Sequence, residues 1–163
     1  MELFIKKAKL SVLDKFEVTD SKGNIIYEVR GELISAGRRL RINDAAGTEL
    51  AEVYEKKLAL RDKYVISSHS LGEVEVFRID TMRKVPEYRA KQKGWTLKGD
   101  FAKKDLKIME GLKTVAHIKP KALSFGETLK VEVKAGESDL LAVALYMVSQ
   151  LDGAARPEGA GEK

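Results

Sequence analysis

The stretch that decides the fold is ESDLLAVALYMVSQLD, Glu137 to Asp152, near the end of the 163-residue chain. Nine consecutive residues in it, Leu140 to Val148, are apolar or aromatic, and neither glycine nor proline interrupts them. Ser138 can cap the first turn, and Asp152-Gly153 is a typical stop. A helix that is apolar on every side must be buried on every side. We therefore predict a helix over residues 137–152 that other elements surround.

The composition indicates a single cytoplasmic domain. The chain has no cysteine, which excludes disulfides, thiolate metal sites and a cysteine nucleophile. The start, MELFIKKAKL, carries charges too early for a signal peptide, and no apolar run reaches a membrane-spanning length. The formal net charge of +5 permits a phosphate or an anionic lipid as a partner. We expect one domain over residues 1–152 and a disordered, Gly-rich tail over residues 153–163.

A hairpin-like unit recurs along the chain at intervals of 24 residues. Leu10–Val18 is followed by Ile34–Ile42 and then by Leu58–Ile66. Within each unit apolar residues alternate with polar ones, as expected for a half-buried strand. The segments Asp20-Ser-Lys-Gly23 and Asp44-Ala-Ala-Gly47 suit tight turns, because the Asp carboxylate bonds nearby backbone N–H groups and Gly accepts a positive φ.

The number of such units predicts a mainly β fold. About six hairpins supply about a dozen antiparallel strands, each with one apolar face, and closing such a sheet removes its exposed edges. The apolar helix is the one element left to fill the lumen. We predict a closed barrel of about twelve strands around the helix. The alternative is a two-layer sandwich with the helix on an outer face.

Four motifs resemble the bacterial members of the LURP-one-related family, in order and in spacing. They lie at Leu10–Val29, Gly94–Phe101, Ala122–Thr128 and Glu137–Leu145, and the resemblance extends to Asp152. It implies a twelve-stranded barrel around a central C-terminal helix, the fold of the tubby C-terminal domain and, by similarity, of phospholipid scramblases. Tubby domains bind phosphoinositide head groups through basic side chains. The resemblance therefore implies a binding module, without assigning positions in this chain.

Catalytic and metal-binding patterns are missing from the sequence. The two histidines, His69 and His117, have no spaced partner, and no Gly-x-Ser-x-Gly, His-Glu-x-x-His or phosphate-binding glycine loop occurs. We expect a protein that is not an enzyme and that holds no metal and no cofactor.

Basic residues give the one candidate binding site. Arg38, Arg39 and Arg41 lie where the first repeat has two acidic residues, and arginine presents a planar donor fork suited to phosphate. Leu40 and Ile42 should point inward, which leaves 39 and 41 on one outward face. The predicted loop that follows adds three further phosphate- or lipid-binding candidates: Lys56, Lys57 and Arg61.

Two functions remain open at this point. The first is a non-enzymatic module that binds anionic lipid or a phosphate-bearing head group at the cytosolic face of a membrane. The second is a protein-interaction or scaffold domain with an unknown protein partner and no small ligand, in which the basic residues form a solvated surface. We expect no nucleic-acid partner, because exposed aromatic residues do not interleave with the basic ones as stacking sites require.

Overall fold

A computed structural model describes residues 1–8, 14–34, 37–57, 62–123 and 128–153. In these segments twelve antiparallel strands form one closed barrel, in which each strand pairs with its neighbours in sequence and β1 pairs with β12. The strands are β1 (Glu2–Lys7), β2 (Lys15–Thr19), β3 (Ile25–Ile34), β4 (Gly37–Asp44), β5 (Glu49–Lys57), β6 (Asp62–Ser68), β7 (Gly72–Asp80), β8 (Pro86–Ala90), β9 (Trp95–Asp100), β10 (Asp105–Glu110), β11 (Lys113–Pro120) and β12 (Thr128–Val133). The predicted barrel is confirmed. The tail that we expect to be disordered lies, from residue 154, outside the described residues.

The helix α1 (Asp139–Asp152) fills the lumen. The Ser138 hydroxyl accepts a hydrogen bond from the backbone N–H of Leu141 at 3.1 Å, and Gly153 ends the helix with φ of 76°. Every side chain from Leu140 to Ser149 is buried, whichever way it points. The prediction of a helix surrounded on all sides is confirmed, and the sandwich alternative is excluded.

The strands bury alternate residues against this helix. In β4, Leu40 and Ile42 are 1% and 0% exposed and face the lumen. The two predicted turns are also present, since the carboxylates of Asp20 and Asp44 each accept two backbone N–H groups at 2.9–3.0 Å. Gly23 follows Asp20 in its turn with φ of +84°. Local sequence patterns are therefore sufficient to place both the buried faces and these turns.

The barrel has two distinct rims, which we name by the helix. The helix enters at the rim where β12 ends, which we call the entry rim, and ends at the opposite, exit rim. At the exit rim the carboxylate of Asp152 contacts Tyr64 and Tyr88, each the third residue of its strand (β6 and β8), and Arg78 near the end of β7. The turns β7–β8, β9–β10 and β11–β12 lie at this same exit rim.

Candidate ligand-binding site

The arginines of β4 take the orientation expected from the sequence. Arg39 and Arg41 lie on the outer face of the barrel, while Leu40 and Ile42 between and beside them are buried. Arg38 lies at the start of the strand, at the exit rim. The outward orientation predicted for Arg39 and Arg41 is therefore confirmed.

Arg39 and Arg41 are both held by carboxylates. Arg39 lies 2.7 Å from Glu32 and 3.4 Å from Glu52, and Arg41 lies 2.8 Å from Glu32 and 3.3 Å from Glu49. The hydrogen bond to Arg39 lowers the pKa of the Glu32 carboxyl, and the same bond raises the pKa of Arg39. Three carboxylates thus surround two guanidinium groups, so an incoming phosphate would compete with existing partners.

Arg38 contacts the helix. Its guanidinium donates to the backbone carbonyl of Leu151 at 3.0 Å, and it pairs with Asp14 at 3.3 Å. The last carbonyls of a helix have no intrahelical partner, and a cation at this end also favours the helix dipole. Lys7 pairs with the same Asp14 at 3.1 Å. Arg38 therefore fastens the end of the helix to β4.

We expect Arg38→Gln to lower the free energy of unfolding by about 1 kcal/mol, because it removes a hydrogen bond to the helix terminus. Chemical denaturation by urea measures this. The matched control is Arg30→Gln on β3, since Arg30 is 60% exposed and pairs with Glu28 at 3.5 Å; it should change stability little. Equal effects of the two substitutions would contradict the role of Arg38 at the helix end.

The remaining candidates do not join this group. Lys56 and Lys57 belong to the end of β5 and not to a loop, so that part of the prediction is wrong: strand pairing with β6 continues to Lys57 opposite Asp62. The Lys56 side chain is exposed and makes no ion pair with the described residues. Arg61 lies outside the described residues. Whether Arg38–Arg41 bind phosphate stays a prediction.

A different basic cluster lines a cleft of about 420 Å³ on the outer face near the exit rim. The β7–β8 turn contributes Arg83, and β9 and β10 contribute Lys98 and Lys107. None of these three cations makes an ion pair within the described part of the chain. The cleft is completed by Thr81, Val85, Glu87, Gly99 and Asp105.

The two carboxylates of this cleft have other partners. The carboxylate of Asp105 lies 2.8 Å from Nε2 of His117. The carboxylate of Glu87 lies 3.6 Å from the guanidinium group of Arg89 on the same strand. Neither carboxylate therefore compensates the three cations within hydrogen-bond distance. With three cations and two carboxylates, the lining holds one formal positive charge in excess.

Strand register makes this excess unfavourable. Lys98 and Lys107 lie directly opposite each other in the β9–β10 pair. Side chains at such positions have Cβ atoms about 5 Å apart, and like charges there destabilise the sheet. Sequence analysis missed this pair because the repeat is blurred between Pro86 and Gly99, so the register was not visible. A bound anion would remove the repulsion.

Other surface depressions are less suited to an anion. A cleft of about 410 Å³ beside β1 has the same formal balance of charge, with three lysines, Lys6, Lys22 and Lys121, beside two acids, Glu17 and Asp20, but its Lys6 lies directly opposite Glu17 in the β1–β2 pair. A depression of about 240 Å³ near His69 includes two glutamates and no lysine or arginine. The cleft of Arg83, Lys98 and Lys107 differs from both, because two of its cations lie directly opposite each other.

The two histidines lie in different parts of the barrel. His69 is exposed in the β6–β7 turn, whereas His117 lies on the outer face of β11 beside Asp105. Across the described segments, no three histidine, aspartate or glutamate side chains are grouped so that they could hold a metal ion. The same segments contain no helix with the length and apolarity needed to cross a membrane.

Comparisons with known proteins agree on family and fold. A family model described as LURP-one-related matches residues 1–150. The uncharacterized protein YxjI of Bacillus subtilis is 26% identical over 148 residues, which is 91% of each chain. The X-ray structure of a protein from Arabidopsis thaliana, AT5G01750, superposes with a TM-score of 0.63 at 16% identity and covers 95% of this chain and 92% of that one. The last similarity concerns the fold alone.

Proposed function

The chain belongs to the LURP-one-related family, and from this premise we propose that it is a non-enzymatic binding module for the phosphate-bearing head group of an anionic lipid. Family and fold together support a binding module of the tubby-like type. The anionic ligand is supported by one observation above the others: three cations, without ion-pair partners among the described residues, line one cleft. We place the head group in this cleft.

The cleft is the better phosphate site because the β4 arginines already have carboxylate partners, whereas the cations of the cleft have none among the described residues. A phosphate at Arg39 and Arg41 has to displace or approach the carboxylate of Glu32, which contacts both guanidinium groups. A phosphate between Lys98 and Lys107 has no ion pair of theirs to displace, since the carboxylates of the same cleft, Glu87 and Asp105, contact other side chains. It also relieves the repulsion between the two lysines. Lysine ammonium groups also bind phosphate as point charges.

The test replaces Lys98 and Lys107 together by Gln. Each basic residue near an anionic surface contributes about 1 kcal/mol, so the double variant should bind vesicles that contain phosphatidylglycerol about 25-fold more weakly. Its melting temperature should stay the same or rise, because a like-charge pair is removed. Co-sedimentation with these vesicles, and with phosphatidylcholine vesicles as the neutral reference, measures the first effect.

Two controls make the test specific. Lys98→Arg with Lys107→Arg keeps the charges and should retain binding. Arg39→Gln with Arg41→Gln removes the same number of charges from β4 and should weaken binding much less. If the β4 variant loses binding and the Lys98–Lys107 variant does not, the ligand lies at the arginines instead.

Binding of soluble glycerol phosphate separates a free phosphate ester from a lipid surface as the ligand. If the wild-type protein binds neither glycerol phosphate nor phosphatidylglycerol vesicles at low ionic strength, where screening is weakest, the proposal fails. A protein-interaction module then takes its place.

A further inference from the structure

Three neighbouring turns of the exit rim share an unusual composition. They are residues 81–85 between β7 and β8, residues 101–104 between β9 and β10, and residues 121–123 after β11. Because strand order in the barrel follows the sequence, these turns lie side by side along one arc of the rim. We call this arc the three-turn rim.

The three-turn rim is basic. Its described residues include no acid and five cations: Arg83, Lys84, Lys103, Lys104 and Lys121. The acids that flank it are used within the protein. Asp80 pairs with Arg78 at 3.0 Å, Asp100 accepts the backbone N–H of Lys103 at 3.0 Å, and Asp105 contacts His117.

Apolar side chains project from the same three-turn rim. Met82 is 103% exposed, Leu123 is 95% exposed and Val85 is 36% exposed. Moving a large apolar side chain from water into an apolar phase lowers the free energy of the system. The basic neighbours of these side chains favour an anionic surface over a neutral apolar partner. Exposed leucine alone is not distinctive, since Leu112 on the entry rim is also fully exposed.

The backbone conformation of the three turns is a further indication that this rim is a functional surface. In the described chain, three residues other than glycine have a positive φ: Lys84 at 59°, Lys104 at 57° and Leu123 at 65°. Each of the three turns contains one of them. A side chain in this left-handed conformation is strained, and such strain is concentrated at functional sites.

A turn of the entry rim, Asp20–Asn24, has a glycine in the left-handed position that a lysine takes in residues 81–85. In Asp20–Asn24 the first N–H bonds the fifth carbonyl at 2.9 Å, and the fourth N–H, of Gly23, bonds the first carbonyl at 3.1 Å. Residues 81–85 repeat both bonds, at 3.2 and 2.8 Å, but carry Lys84 in the place of the glycine. Lys84 thus occupies a position where glycine fits with less strain, and we take this as a sign that its side chain has a use.

We propose that the three-turn rim docks on an anionic lipid bilayer, with Met82 and Leu123 entering the interface and the lysines contacting head groups. This inference rests on the proposed function, because the cleft that holds the head group shares Arg83 and Val85 with the rim. The barrel then stands on the membrane at the end where its helix stops. The entry rim, whose Asp20–Asn24 turn has Gly23 in the position of Lys84, faces away from the membrane.

The first experiment measures binding to phosphatidylglycerol vesicles for Met82→Ser with Leu123→Ser. Loss of two apolar side chains from the interface should weaken binding at least about tenfold. Leu112→Ser is the matched control, and it should bind as the wild type does. Equal binding by the wild type and the double variant overturns the inference, as does an equal loss with Leu112→Ser.

A second experiment uses Lys84→Gly with Lys104→Gly. Removing the strained side chains should raise the melting temperature and yet weaken vesicle binding several-fold, a combination that a purely structural role does not produce. The reverse substitutions, Gly23→Lys with Gly47→Lys on the entry rim, should lower the melting temperature without strengthening binding. Unchanged vesicle binding by the glycine variant contradicts the docking surface.

Soluble glycerol phosphate distinguishes this inference from the proposed function. If the Met82–Leu123 variant keeps its affinity for glycerol phosphate but loses vesicles, both stand. If the wild type binds glycerol phosphate and ignores vesicles, the docking surface fails while the head-group cleft survives. If Lys98→Gln with Lys107→Gln has no effect but the rim variants lose vesicle binding, the cleft fails and the rim alone makes the contact.

Discussion

Leu145→Asp is expected to prevent folding. Leu145 is 0% exposed at the middle of a helix that the barrel surrounds on every side. An unpaired carboxylate in such an interior costs several kcal/mol, and a whole domain is stable by about 5–15 kcal/mol. The helix cannot rotate the charge toward water, since its other faces are buried too. The variant should therefore be insoluble, or should lose its native circular dichroism and its cooperative thermal transition.

Leu112→Asp is the matched control, because it is the same change at a leucine that is fully exposed. It should leave the melting temperature within the range of ordinary surface substitutions. A soluble Leu145→Asp protein with native circular dichroism and an unchanged melting temperature would mean that the helix is not the core of the barrel.

The parts of this fold that could be predicted are those encoded locally. Leu140 to Val148 leave no polar side for solvent, so a central position follows from composition alone. Period-two alternation orients Leu40 and Ile42 inward. The Asp20 and Asp44 turns follow from their own four residues. None of these inferences requires knowledge of a distant partner.

Charge compensation could not be predicted in this way. The β4 arginines are the densest basic run in their region, which made them the candidate site. Their partners Glu32, Glu49 and Glu52 come from β3 and β5, and the contacts depend on the register of three strands. The opposed pair Lys98 and Lys107 depends in the same way on the β9–β10 register. Single-sequence patterns indicate which face a residue takes but not which residue lies opposite.

The strained backbone of residues 81–85 could not be predicted from the sequence either. The sequence predicts turns where Asp and Gly are spaced suitably, and residues 81–85 contain neither. The structure nevertheless builds the same hydrogen-bonded turn there with Lys84 in a left-handed conformation. The signal that could have indicated it is the position of the turn between two alternating segments.

A buried polar cluster at the exit rim was also missed, because its members are far apart in sequence. The carboxylate of Asp152 is 6% exposed and pairs with Arg78 at 2.6 Å. It also accepts hydrogen bonds from the hydroxyls of Tyr64 and, at 2.5 Å, of Tyr88. Burial and the adjacent carboxylate raise the pKa of the Tyr88 phenol far above its usual range, so the phenol stays a donor. The cluster joins the helix end to β6, β7 and β8.

Asp152→Asn is expected to lower the free energy of unfolding by about 3 kcal/mol. Removing one partner of a buried ion pair costs about 3–5 kcal/mol. The lower end applies because Arg78 is 32% exposed and keeps its second partner, Asp80. Two buried tyrosine hydroxyls lose a charged acceptor as well, which makes the effect larger than that of a surface pair. Urea denaturation and the shift in melting temperature measure it.

Asp80→Asn is the control that isolates burial, since its carboxylate contacts the same guanidinium group but is 67% exposed. It should cost at most about 0.5 kcal/mol. Combining Asp152→Asn with Arg78→Gln should cost less than the sum of the two single changes, because the double variant leaves no buried charge unpaired and the carboxylate that loses Arg78, that of Asp80, is exposed. Equal effects of Asp152→Asn and Asp80→Asn, or strict additivity with Arg78→Gln, would show that the helix end is held by packing and not by this carboxylate.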